Sequence, residues 1–573
     1  MKRQQALSAI VGTLFSGEEP PTERDDRNPF INKTLPSVAR TTTGLEPYTG
    51  SWGKDQAAHL LRRTMFGAAK ADLDAIAQRN MNDAVDLLMA SPPVEITQPL
   101  NVDSRDIVPV GSTWVSALYK DPAGTFTPTG VRISSLKSWW IGLMLNQPLS
   151  IREKMVIFWH NHFVTVTSTV NDPRFSYWYL SVLRQNALGN FKGLVRSISL
   201  EGAMLRYLNG NTNTKASPNE NYGRELQELF TIGKGPEIAP GDYTNYTEAD
   251  VKAAAHVLTG WRDRSNVDGT VGPGTSTFDI TRHDTLDKQF SAHYNNTVIV
   301  GGSDGLRELD DLIAMIFAQQ ETAKFICRKL YRYFVYYVID PATEANIITP
   351  LASLLAASNF EVQPVLSTLL KSAHFYDPVN VGCMIKNPIE FLIGLFRQFF
   401  VTFPSTPIET QYAMWNYLLG QSSSLNMNLG DPPNVAGWAA YYQSPEFYEL
   451  WINSDTLPKR ARFSDAMAHS GYTNSGATIK IDPIAYVQTL SNPGDPNVII
   501  DEAAQHLFAI PITVNQRAFL KQVLLPGLPD YEWTGEWNDY LANPTDAIKL
   551  TAVRSKLQAL FAFMMEMPEY QLQ

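Results

Sequence analysis

The sequence predicts a mainly α, large multi-helix globular fold with two long irregular insertions and minor β. Three observations carry this. Apolar residues recur at helical spacing from Trp52 to Met565. Helix-start chemistry repeats along the same span, and two Pro/Gly-rich stretches are too long for ordinary helix connections. A helix content of ~45–60% is expected, against ~30–35% in average globular proteins.

Of the 573 residues, 44% are hydrophobic and 11% aromatic, enough to bury a sizeable core. Single cores stop growing at roughly 250–300 residues, so one core with large insertions is favoured over several separate units. Residues 1–50 read as an N-terminal arm, 51–460 as a helical body, and 461–573 as a C-terminal helical extension packed on it. The start, MKRQQALSAIVGTLF, is basic and then apolar, which suits a small export signal and an amphipathic first helix equally well.

From Asp55 the periodicity gives a helix stopped at Gly67, then a second helix over Lys70 to Leu88. Residues 91–131 form the first insertion. Capping boxes are predicted at Ser150/Glu153, at Ser217/Glu220 with Pro218 at the first helical position, and at Thr247/Asp250. Residues 262–300 form the second insertion, with short β-like pieces STFDI and NTVIV. Helices resume over Gly305–Gln319, Thr322–Val338, Ile347–Ser358, Val362–Ser372 and Pro388–Val401.

A formal net charge of −10 without a Lys/Arg block argues against a nucleic-acid partner. Only Cys327 and Cys383 occur, which excludes a disulfide framework and a cysteine-based zinc site. No stretch approaches the ~20 apolar residues of a membrane span. There is no GxSxG elbow, phosphate-binding glycine loop, HExxH or dinucleotide fingerprint.

Four segments place ionisable residues in apolar surroundings. In REKMVIFWHNHF, from Arg152, apolar residues on every side bury the helix, and His160 with it. A separation of two residues turns His160 and His162 ~200° apart, so one should face a polar site while the other bonds structurally. His160 shares a face with Glu153 and is preferred for the site. In NYGRELQELFTIG, Arg224 and Glu228 suit a solvated ion pair, and Glu225 lies at the edge of the apolar stripe. His256, in YTEADVKAAAHVLTGW, is expected to be exposed. In RHDTLDKQF, His283, Asp284 and Lys288 offer a base, an acceptor and a cation within six positions. The catalytic candidates are therefore His160, Glu225, Glu228, His283, Asp284 and Lys288; His160, His162, Glu225 and His283 are the candidate ligands of a divalent metal.

These four segments, together with HLLRRTMFG from His59, FICRKLYRYFV from Phe325, KNPIEFLIGLFRQ from Lys386 and PPNVAGW from Pro432, resemble the domain of unknown function 1800 family over residues 55 to 460. The resemblance implies a mainly helical bacterial protein, often exported to the periplasm or cell surface and often found beside a sulfatase-like partner; it implies no activity. Two functional readings stand open. One is an exported enzyme with a buried His/Glu/Asp site, with a divalent metal as its candidate cofactor. The other is a helical binding or scaffold protein for an exported partner or a surface glycan, with the same residues only locking the fold.

Overall fold

In the computed structural model, residues 43–90, 97–118, 126–264, 271–272 and 276–573 are described. The chain is 57% helical, with strands confined to short pieces. The amino-terminal 42 residues, and with them the export-signal reading, lie outside the described residues, as do parts of both insertions.

The first helix runs Lys54–Thr64 and buries Ala57, Leu60 and Leu61. Gly67 follows with φ +73°, and a side chain there would put its Cβ 2.6 Å from the Gly394 Cα, so backbone meets backbone at this crossing. The single helix expected over Lys70 to Leu88 is two, Lys70–Ala77 and Met81–Met89. Asn80 interrupts it by capping the second, accepting the Asp83 amide over 2.9 Å. The ordered body also reaches further forward than Trp52, because the Tyr48 amide pairs with the Lys371 carbonyl at 2.9 Å.

Thr247 and Asp250 form the expected capping box at the start of helix Glu248–Val257. The box at Ser217 does not form: helix Glu220–Glu228 is capped by Asn219, and Pro218 lies before it. A side chain that reaches the orphan amides from the residue next to the helix displaces one placed two positions earlier.

Both insertions contain short antiparallel or bridged pieces. Leu100 bridges Thr113 in the first. In the second, Trp261–Asp263 pairs with Ser276–Phe278, and Lys288–Gln289 with Val298–Ile299. Both touch helix Pro173–Gln185, since Arg174 donates to the Ala117 carbonyl and the Trp178 indole to the Val271 carbonyl. The C-terminal residues close the body: Gln573 and Met384 exchange backbone bonds, and Ile385 bridges Leu572.

Candidate functional site

Helix Arg152–His162 is buried along nearly its whole length, as its continuous apolar sequence requires. Its entry differs from the predicted box. Ile151 is the cap residue, and Ser150 Oγ accepts the Arg152 amide at 3.1 Å. Glu153 instead forms a buried two-pronged ion pair with Arg184, at 2.7 and 2.9 Å. A guanidinium that presents two parallel N–H groups satisfies both carboxylate oxygens, which one backbone amide cannot do.

The two histidines do face different surroundings. His160 is 1% exposed and points toward helix Pro173–Gln185, the same side as Glu153. Its Nδ1 lies 3.1 Å from the Tyr179 hydroxyl, and that hydroxyl donates its only proton to the Phe163 carbonyl at 2.6 Å. Nδ1 must therefore carry a proton and donate to Tyr179, which leaves Nε2 with a bare lone pair. Nε2 is buried and has no partner among the described residues. The indole nitrogens of Trp140 and Trp438, whose rings sit edge-on to the imidazole at 5.4 and 5.7 Å, are likewise buried and unpartnered.

His160 and Trp140 line a small pocket with Lys137, Thr165, Thr167 and Ser176, with room for about one water-sized molecule. Lys137 is held at its rim by Asp431 at 2.6 Å, and Asp431 also accepts Thr167 Oγ1 at 2.6 Å and the Ser168 amide at 3.2 Å. Burial alone would raise the Asp431 carboxyl; Lys137 and these donors outweigh it and hold it below its ordinary value. Burial pushes His160 down to about 3, with Asp431 opposing and Lys137 assisting, so its imidazole is neutral.

His162 turns to the other side. Its Nε2 lies 2.9 Å from the Phe230 carbonyl, and its Nδ1 is 3.1 Å from Lys329 Nζ. Burial, then Lys329, push it well below its ordinary value.

The remaining candidates divide between two other places. Glu225 is half-buried, and burial followed by the Glu228 charge raises its carboxyl to about 7. Glu228 does not pair with Arg224: it accepts the Tyr246 hydroxyl at 3.0 Å, while Arg224 grips Glu248 with two bonds of 2.7 Å. Helix Glu248–Val257 packs close enough to offer Arg224 a two-pronged partner, and Glu220, one turn back, takes a further bond at 3.2 Å, which leaves Glu228 to Tyr246.

His283 and Lys288 are buried around Glu308, on helix Gly305–Phe317, at 3.1 and 2.6 Å. The other nitrogen of His283 faces the Thr259 carbonyl at 2.9 Å, and Asp284 bonds His256 at 2.6 Å. Every polar group of the His-Asp-Lys triplet is thus engaged in fastening the second insertion to two helices. The His256 side chain is 38% exposed, as its position predicted, but it is tied to Asp284.

The residues read as metal ligands are not brought together: His160, His162 and His283 share no partner. Among the described residues no group of three His, Cys, Asp or Glu side chains is arranged to hold a metal ion. Sequence reasoning passed over Lys137, Tyr179, Asp431 and Glu308. Lys137 left a signal, a lone cation in the apolar run LKSWWIGLM. The others left none, because each meets its histidine only through packing.

Fold and site together define a mainly helical protein with a buried, neutral histidine that has one unpartnered nitrogen and lines a water-sized pocket. The chain belongs to a family described as protein of unknown function (DUF1800), whose model matches residues 59–572. No curated protein and no solved structure matches it.

Proposed function

We propose that this chain is an enzyme acting on a hydroxyl-bearing substrate, with His160 as the acceptor of the reacting hydroxyl's proton. The observation that carries this reading is the bare Nε2 lone pair, buried beside a pocket of water size. A water or substrate hydroxyl seated there would donate to Nε2 while its oxygen accepts from the Lys137 ammonium, since the Thr167 and Ser176 hydroxyl protons are given to Asp431 and to the Asp172 carbonyl. Taking up the proton places imidazolium charge near Asp431, which offsets part of what burial and Lys137 cost that form. Orienting and deprotonating a hydroxyl in this way contributes typically 10²–10⁴-fold to a rate.

A divalent metal does not suit this donor set. The pocket offers one imidazole nitrogen beside the Lys137 ammonium, and the nearest carboxylate, Asp431, is committed to Lys137, Thr167 and Ser168. A surface glycan is the substrate class we favour, because it supplies hydroxyls in quantity; a cavity of water size admits one such hydroxyl or the water that attacks it.

The test compares wild type with His160→Gln on a panel of nitrophenyl glycosides, esters and phosphates, with melting temperature as the fold control. Loss of turnover by ~10²-fold or more in a folded His160→Gln protein supports the assignment. Unchanged turnover in that variant removes His160 from the chemistry. A wild-type chain inert across the panel replaces the enzyme reading with the binding-protein one.

A further inference from the structure

The other side of the same helix carries a second, independent arrangement, centred on Lys329. This residue lies on helix Gln320–Phe334 and is half-buried. Its Nζ donates to the Leu229 carbonyl at 2.9 Å and to His162 Nδ1 at 3.1 Å, and sits 4.7 Å over the Phe325 ring. The Phe230 carbonyl can only accept, so His162 Nε2 carries the imidazole proton and Nδ1 offers a lone pair to Lys329.

An amine with two acceptors in place has both N–H groups of its neutral form satisfied and its own lone pair left over. A third proton would add a charge with no counter-ion, since no carboxylate among the described residues forms an ion pair with Lys329. The charge it does feel is Arg332, of like sign, on the same helix; the titratable group facing it from the neighbouring helix is His162, which is neutral. Burial, then Arg332, push the amine down to about 7.

We propose that Lys329 is a nucleophilic amine that takes a small aldehyde or ketone as an imine. The Nζ lone pair attacks the carbonyl carbon, forming the C–N bond as the C=O π pair moves to oxygen. One N–H proton passes to His162 Nδ1 and from there to the oxygen, giving the carbinolamine. Departure of that oxygen as water, with the remaining N–H proton, leaves the C=N bond. Amine and carbonyl enter; imine and water leave. No oxidant or reductant takes part. The proposal involves none of the His160 pocket and survives or fails apart from it.

The experiment is trapping on the full chain with formaldehyde and cyanoborohydride at pH 7, with methylated lysines mapped by peptide mass spectrometry. An amine titrating near 7 has roughly 10³ times the neutral fraction of an ordinary lysine at that pH. Lys329 should be labelled ~100-fold faster than the exposed lysines, with a half-maximal rate near pH 7, and Lys329→Met should remove that peptide signal alone. His162→Phe should slow the labelling of Lys329 without changing that of the rest. Labelling of Lys329 in wild type at the common rate, a half-maximum near pH 10, or no labelling at all overturns the proposal.

Discussion

Asn161 Oδ1 accepts the backbone N–H of Trp438 at 2.9 Å, joining the end of the histidine helix to a loop 277 residues further along. The approach is so close that position 437 tolerates no side chain. Gly437 has φ +99°, and a Cβ there would lie 2.3 Å from Asn161 Oδ1 and 2.9 Å from the Asn161 carbonyl oxygen. The same contact holds the Trp438 ring against His160.

Gly437→Ala combines a strained backbone with overpacking, each costing about 1–3 kcal/mol. Urea denaturation should show a loss of about 2–6 kcal/mol. A change under ~0.5 kcal/mol, the range of an ordinary surface substitution, would mean the loop relaxes freely.

The entry to the histidine helix separates two accounts of Glu153. With Arg184 as its partner, Arg184→Met strands a buried carboxylate and should cost about 3–5 kcal/mol. Ser150→Ala removes one amide acceptor and should cost about 0.5–2 kcal/mol. Were Glu153 chiefly a cap, the two variants would rank the other way in denaturant midpoint.

Glu308 is the residue on which the second insertion closes. Replacing it with Leu leaves Lys288 buried without its carboxylate and unpairs one nitrogen of His283, so amides from 284 to 300 should lose hydrogen-exchange protection. The helices around His160 should keep theirs. Uniform loss across the chain would show that the insertion and body open as one unit.

Stability should fall as the solution is made acid. His160, pushed to about 3, His506, to about 4, and His162, well below its ordinary value, stay neutral when folded; the unfolded chain takes up protons below about 6.5. The folded state then binds fewer protons, and stability declines from about 6.5 downward. Glu225 opposes this, because its folded carboxyl, raised to about 7, keeps a proton that the unfolded one releases above about 4.5. Glu449 and Glu566, also raised by burial, act in the same sense as Glu225, and the buried histidines outweigh them, so the net effect is a loss of stability on the order of 1–3 kcal/mol per pH unit near pH 5. Urea midpoints at pH 6.5, 5.5 and 5 measure the slope, and a flat profile contradicts the neutral burial of the histidines.

Much of the fold was legible. The first helix from Lys54, the helices between Gly305 and Gln398, the β pieces of the second insertion and the Thr247 capping box follow from periodicity and local side-chain chemistry, whereas helices such as Ile408–Ser424 were not placed. The misreadings were local too. Asn80, a cap inside an apolar pattern, divides one expected helix, and Asn219 takes over from Ser217 because it stands nearer the open amides.

The site was legible only in part. That the Arg152–His162 helix is buried, and that His160 and His162 part company around it, is fixed by the sequence, because a residue's angle about its own helix depends only on its position in the chain. What each histidine meets was decided by tertiary structure. Tyr179, Lys137 and the Asp431–Trp438 loop gather round His160 from three separate segments, and Lys329 reaches His162 from a fourth. Helical spacing determines which side chains share a face within one element, whereas the protonated nitrogen, the bare lone pair and the missing counter-ion arise from groups brought in by packing between elements.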